Sequence, residues 1–137
     1  MPNVRVTRRV HFSAAHRLHN PELGDQRNRE VYGLCNNPNY HGHNYELDVT
    51  VEGSVNPETG YVMDLKQLRD LVEAEVIVDL DHNNLNLDVP WLTGVIPTTE
   101  NLVIAIWNRL APHLEGARLV RLVLWETPRN YVEYAGE

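Results

Sequence analysis

Apolar and polar positions alternate from the start of the chain. The even positions read Val4, Val6, Arg8, Val10 and Phe12, and the odd ones Arg5, Thr7, Arg9 and His11. Successive side chains of a strand face opposite ways, so a period of two predicts a half-buried strand. The same parity runs on through Ala14 to His16. A second alternation sets Tyr45, Leu47, Val49 and Val51 against Asn44, Glu46, Asp48, Thr50 and Glu52, and its apolar parity extends back to His43 and His41. Residues 53–60 hold two Gly, a Pro and an Asn, which is turn chemistry. Asp64, an N-cap type with Gln67 three residues on, opens a run in which Leu65, Leu68, Leu71, Val72 and Val76 recur at helical spacing. Residues 79–97 are rich in Asn, Asp and Pro and predict an irregular loop. Pro97-Thr98-Thr99-Glu100 then starts a second helix with Leu102, Val103, Ile106 and Leu110 inside. Leu119 to Trp125 is apolar at both parities, and Thr127-Pro128-Arg129-Asn130 turns it into a terminal hairpin ending at Tyr134. The predicted order is ββααββ, an α+β unit with a four-stranded antiparallel sheet and two helices on one face. A last long strand apolar on both faces needs cover on both. Self-association, with strands continuing from subunit to subunit, supplies that cover and removes open sheet edges.

Composition narrows the classes. A chain of 137 residues is expected to form one domain over 1–137. Its formal net charge of −7 repels a polyphosphate backbone, so no nucleic-acid partner is expected. With 42% apolar and 23% charged residues it can bury a core. Its longest apolar runs fall far short of the roughly 20 residues that span a bilayer, so no membrane role is expected. The opening Met1-Pro2-Asn3-Val4-Arg5 lacks the pattern of a signal peptide, and Cys35 is the sole cysteine, so a cytoplasmic location is expected.

His41-Gly42-His43 leads into a strand, where residues two apart point the same way and Gly42 adds no bulk. His16 shares their inward parity and is the natural third ligand if the strands pair. Three histidines and an open position are the pattern of a catalytic zinc, whereas structural zinc fills all four positions. Cys35, six residues before His41, is in one reading a small buried side chain, in a second a thiolate base activated by a nearby cation, and in a third a fourth zinc ligand. Asp81-His82 suits either a carboxylate-oriented imidazole or plain turn chemistry. Glu126 ends an apolar strand, where a carboxylate needs a partner or a ligand donor. Thr98, Thr99 and Glu100 suffice as helix-start residues.

His11-Phe12-Ser13-Ala14-Ala15-His16-Arg17-Leu18, Cys35 through His41-Gly42-His43-Asn44-Tyr45, Leu80-Asp81-His82-Asn83-Asn84-Leu85, Thr98-Thr99-Glu100-Asn101 and Trp125-Glu126-Thr127 resemble, in order across the chain, the 6-pyruvoyltetrahydropterin synthase family. The resemblance implies the tunnelling fold, whose units form trimeric barrels stacked as a homohexamer (a dimer of trimers). It also implies Zn2+ on His16, His41 and His43, Cys35 as catalytic base with Asp81 and His82 as its relay, and Glu126 as pterin anchor. Thr98, Thr99 and Glu100 match the segment that supports the pterin edge. Cys35 and the Asp81-His82 pair are then expected to come from neighbouring subunits. The implied reaction turns 7,8-dihydroneopterin triphosphate into 6-pyruvoyltetrahydropterin with elimination of triphosphate. The alternatives are the 6-carboxytetrahydropterin synthase reaction of queuosine synthesis, which releases acetaldehyde and triphosphate, and a non-catalytic zinc-binding protein. The Cys-x5-His-Gly-His spacing resembles pyruvoyl-forming members, the carboxy-forming ones placing Cys two residues closer. Tyr40 stands where pyruvoyl-forming members usually have glycine and is expected to narrow the pocket mouth. Arg17, beside His16, is the candidate contact for the triphosphate.

Overall fold

The computed structural model describes residues 2–137, so the first residue of the leader reading lies outside it. Strand β1 (Asn3–His16) and strand β2 (His41–Ser54) form a long antiparallel pair in which Phe12 faces Tyr45, Ala14 faces His43 and His16 faces His41. β4 (Arg118–Thr127) lies on the other side of β2, and β5 (Asn130–Tyr134) pairs with β4 at the edge. A fifth strand, β3 (Asn83–Asn84), runs parallel to β1, giving the order β3-β1-β2-β4-β5. The sheet therefore has five strands where four were expected. The added one is two asparagines held by His82 N–H on the Ser13 carbonyl (2.6 Å) and Leu85 N–H on that of Ala15 (2.8 Å). No hydrophobic period can announce so short a strand.

A further helix, α1 (Asp25–Tyr32), stands between β1 and β2, so three helices replace the expected two. Its apolar content is low, and its one buried side chain is Asn28. The Asn28 amide accepts from Asn20 N–H (2.8 Å) and donates to the carbonyls of Asn20 (2.9 Å) and Leu23 (3.1 Å). α1 is thus tied down by one amide, which leaves no amphipathic stripe to detect. α2 runs over Leu65–Val72, continues through a π-helical stretch at Glu73–Ile77, and closes with Val78–Leu80. Asp64 caps it by accepting from Lys66 N–H at 2.9 Å. The expected irregular loop at 79–97 thus contains the end of α2, β3 and a 3-10 turn at Pro90–Leu92. α3 (Thr99–Leu110) buries Leu102, Val103, Ile106 and Leu110 as its spacing predicts. No helix among the described residues is long and apolar enough to cross a membrane.

α2 and α3 cover the inward face of the sheet. There Val10, Phe12 and Ala14 meet Tyr45, Leu47 and Val49, with Leu122 and Leu124 from β4 and Leu68, Val72 and Ile106 from the helices. The stacked rings of Phe12 and Tyr45, 4.8 Å apart, form the floor beneath the histidines. The outward face is mixed. Val123, Trp125 and Tyr131 supply its apolar part, while Arg5 and Arg118 bracket Glu52 (2.8 and 2.9 Å), Arg9 holds Asp48 (2.6 Å) and Arg121 pairs with Glu133. Ion pairs thus share that face with its apolar residues, and the sheet ends in open edges at β3 and β5.

Candidate active site

The site forms where β1 ends and β2 begins. Cross-strand partners lie within side-chain reach and diagonal ones slightly beyond, so the register that sets His16 opposite His41 also brings His43 close. The three ring centroids are 4.6, 5.1 and 5.0 Å apart, and one ligand atom from each histidine lies within 4.8 Å of the others. His16, 1% exposed, donates from Nδ1 to the Pro97 carbonyl at 2.8 Å. That bond fixes the tautomer and leaves Nε2 as a lone-pair donor, the usual arrangement of a metal ligand. His16 Nε2 and His41 Nδ1 are buried with no partner in the protein. Orphaned imidazole nitrogens facing one point fit a divalent cation, since burial without a partner is otherwise costly. Burial, more than the neighbouring imidazoles, pushes the proton affinity of both His16 and His41 below the ordinary histidine value, which keeps them neutral and ready to ligate. Tyr45 OH sits 3.4 Å from His16 Nδ1, and burial raises its pKa well above the usual tyrosine range, so it stays a neutral phenol.

Glu126 lies at the other side of the cluster. Its Oε1 is 3.9 Å from His43 Nε2, and its Oε2 accepts from Thr99 Oγ at 2.6 Å. A cavity of ≈ 270 Å³ opens between the start of α3 and β5, lined by Leu18, Thr98, Thr99, Glu100, Glu126 and Tyr131. Three of the helix-start residues are thereby distinguished: the Thr98 hydroxyl caps α3 by accepting from Asn101 N–H (3.1 Å), Thr99 turns to Glu126, and Glu100 lines the cavity.

Cys35 sits half-buried in a 3-10 turn, Gly33–Asn36, with its carbonyl accepting from Leu18 N–H at 2.8 Å. It is not part of the histidine cluster, so among the described residues the donor set is three imidazoles. Arg17 donates to the Asn36 carbonyl at 3.0 Å and shares a groove with Arg29 beside that turn. Asp81 accepts from Ser13 N–H (2.9 Å) and pairs with His82 Nδ1 (2.9 Å). The Ser13 amide, and then His82, hold its carboxyl below the usual carboxylate range. His82 is 83% exposed and lines an open cleft with Ser13, Gly42 and His43. Tyr40 and His82 are the described non-glycine residues with positive φ, 67° and 62°. Both adjoin the site, where strained backbone tends to collect. Sequence reading overlooked the Pro97 carbonyl and Tyr45, because a main-chain acceptor carries no residue signature and Tyr45 looks like any core aromatic.

The 6-pyruvoyl tetrahydropterin synthase family model matches residues 5–137. The chain is 47% identical over 132 residues to the 6-pyruvoyl tetrahydrobiopterin synthase of Poecilia reticulata, covering 96% of this chain and 90% of the relative. It is 45% identical over 133 residues to that of Homo sapiens, covering 97% and 92%. The solved structure of Caenorhabditis elegans 6-pyruvoyl tetrahydropterin synthase superposes with a TM-score of 0.94 at 39% identity, covering 100% of this chain and 98% of that one. A match along nearly the whole length, on a fold that gathers His16, His41, His43 and Glu126 at one strand end, places this chain in the 6-pyruvoyl tetrahydropterin synthase family.

Proposed function

We propose that this chain, acting as one pterin synthase domain over residues 1–137, converts 7,8-dihydroneopterin triphosphate to 6-pyruvoyltetrahydropterin with elimination of triphosphate. The observation that carries the reading is the buried, partnerless His16 Nε2 and His41 Nδ1 in a cluster whose third histidine, His43, stands 3.9 Å from Glu126. Three imidazoles suit Zn2+ with a position left open. When bound there, zinc supplies Lewis acidity to the oxygens of the substrate side chain.

The chain's own residues do the rest. A pterin offers an amino group and an adjacent ring N–H, and the Glu126 carboxylate accepts both. Thr99 occupies one lone pair of Oε2, which leaves acceptor capacity on both oxygens. Thr98 and Glu100 flank the ring edge in the same cavity. Cys35 takes protons from the side-chain carbons as a thiolate, and Asp81, by accepting from His82 Nδ1, leaves Nε2 of that ring to exchange them. Arg17, with Arg29 beside it, meets the triphosphate, a polyanion that an overall charge of −7 otherwise repels. Because the Asp81-His82 pair stands exposed at the β3/β1 edge, we place a neighbouring subunit against it. As the family resemblance implies, sheets then continue edge to edge in trimeric barrels, two of which stack as a homohexamer. A cytoplasmic setting keeps Cys35 reduced.

Anaerobic incubation of the zinc-loaded protein with 7,8-dihydroneopterin triphosphate, followed by mass analysis, tests the reaction. The expected product retains all three side-chain carbons with one inorganic triphosphate per turnover, and Cys35→Ala keeps its zinc while losing about 100-fold or more in rate. Stoichiometric acetaldehyde with a carboxyl substituent on the ring would replace this reading by the 6-carboxytetrahydropterin reaction. Full zinc with no turnover would leave a non-catalytic zinc-binding protein.

A further inference from the structure

The turn that precedes α3 touches both halves of the site. Its Pro97 carbonyl accepts from His16 Nδ1 at 2.8 Å. Two residues on, Thr99 is 7% exposed and directs its hydroxyl at Glu126 Oε2, 2.6 Å away, while Thr98 alone caps the helix. The second Glu126 oxygen lies 3.9 Å from His43 Nε2. One turn therefore hydrogen-bonds His16 through the Pro97 carbonyl and Glu126 through Thr99, and Glu126 in turn stands beside His43. Groups that hold a ligand's far side set its orientation and its basicity.

We propose that Thr99 is a positioning residue that couples pterin binding to metal retention: its hydroxyl holds Glu126 where one carboxylate faces both the cavity and His43, and its own turn holds His16. The proposal rests on Glu126 as the pterin acceptor. Coupling of this kind is reciprocal, so a bound pterin tightens the metal by the factor by which the metal tightens the pterin. Thr99→Val keeps the β-branched shape and removes the donor; Thr99→Ser keeps the donor.

The test compares zinc-loaded wild type, Thr99→Val and Thr99→Ser. Zinc affinity is measured by equilibrium competition with a chromophoric chelator, with and without 6-methylpterin, which has neither the triphosphate nor side-chain hydroxyls that could ligate the metal. Binding of 6-methylpterin is titrated by fluorescence with and without zinc. In wild type, saturating 6-methylpterin is expected to tighten zinc by about tenfold, and zinc to tighten 6-methylpterin equally. In Thr99→Val this factor falls to near one, and zinc affinity without the pterin falls by about tenfold. Thr99→Ser behaves as wild type. Should Thr99→Val fold poorly, Glu126→Gln examines the same link from the other end and is expected to lose the coupling with Thr99 in place. Wild-type coupling in Thr99→Val or in Glu126→Gln, or a wild type in which 6-methylpterin binds without changing zinc affinity, overturns the proposal alone. A zinc-loaded wild type that binds no 6-methylpterin overturns the pterin reading beneath it.

Discussion

His16 shows how one residue can be both core and ligand. It occupies the inward parity of β1 like Phe12 and Ala14, and its burial is as complete as theirs. The energetic cost of hiding an imidazole is offset on one side by the Pro97 carbonyl and left open on the other. The sign of its pH linkage follows. Above the ordinary histidine value of about 6.5, neither folded nor unfolded metal-free chain holds a proton there. As pH falls through that value the unfolded chain takes up protons that buried His16 and His41 refuse, so stability declines. Asp48 and Asp81, whose carboxyls are held low by Arg9 and by the Ser13 amide respectively, withdraw their support only at more acid pH. Thermal unfolding of metal-free protein is therefore expected to show Tm dropping between pH 7.5 and 5.5, with His16→Asn flattening that slope. An equal slope in His16→Asn would contradict the assignment of the effect to His16.

At the scale of elements, legibility in the sequence followed how each element is stabilised. β1, β2 and α3 bury regular stripes, and their positions were plain from period alone. That His16, His41 and His43 share one face was equally legible, because shared parity on two paired strands is a statement about one face, and the three form a candidate metal site. α1 and β3 were hidden: one hangs from the Asn28 amide, the other from two main-chain bonds to β1. The outward face was half legible: Val123 and Trp125 were visible in β4, while the Arg9–Asp48 and Arg5–Glu52 pairs beside them join residues far apart in sequence. If α1 depends on Asn28, then Asn28→Ala leaves several main-chain groups unpaired, at a local cost of about 1–3 kcal/mol. Amide hydrogen exchange is expected to speed up across 20–32 while β1 and β2 keep their protection. Uniform loss of protection throughout the sheet would mean that Asn28 supports the whole fold.

For the whole molecule, the arrangement of groups along the sheet argues for an assembly. Cys35 is anchored beyond the end of β1, at Leu18, whereas Asp81 and His82 are fixed to Ser13 at the β3 edge with the imidazole in solvent. Mixed oligomers of Cys35→Ala and His82→Ala, made by dissociation and reassembly, are expected to recover part of the activity each lacks alone. Demonstrably mixed oligomers with no recovery would argue for a site contained in one chain. The excursion from Arg17 to Tyr40 has another consequence. It leaves β1 at His16 and re-enters β2 at His41, two residues already paired in register, so its ends are clamped whatever its contents. Loop closure depends only weakly on length, each doubling adding about 0.6 kcal/mol. Length changes elsewhere in this loop therefore cost little, while the three histidines stand on strands that cannot slip. In the proposed reaction, variation in this one loop moves the thiol relative to the metal site. The scaffold thus separates what must stay in place from what can drift, so that new bond cleavages can arise on the same pterin without rebuilding the protein.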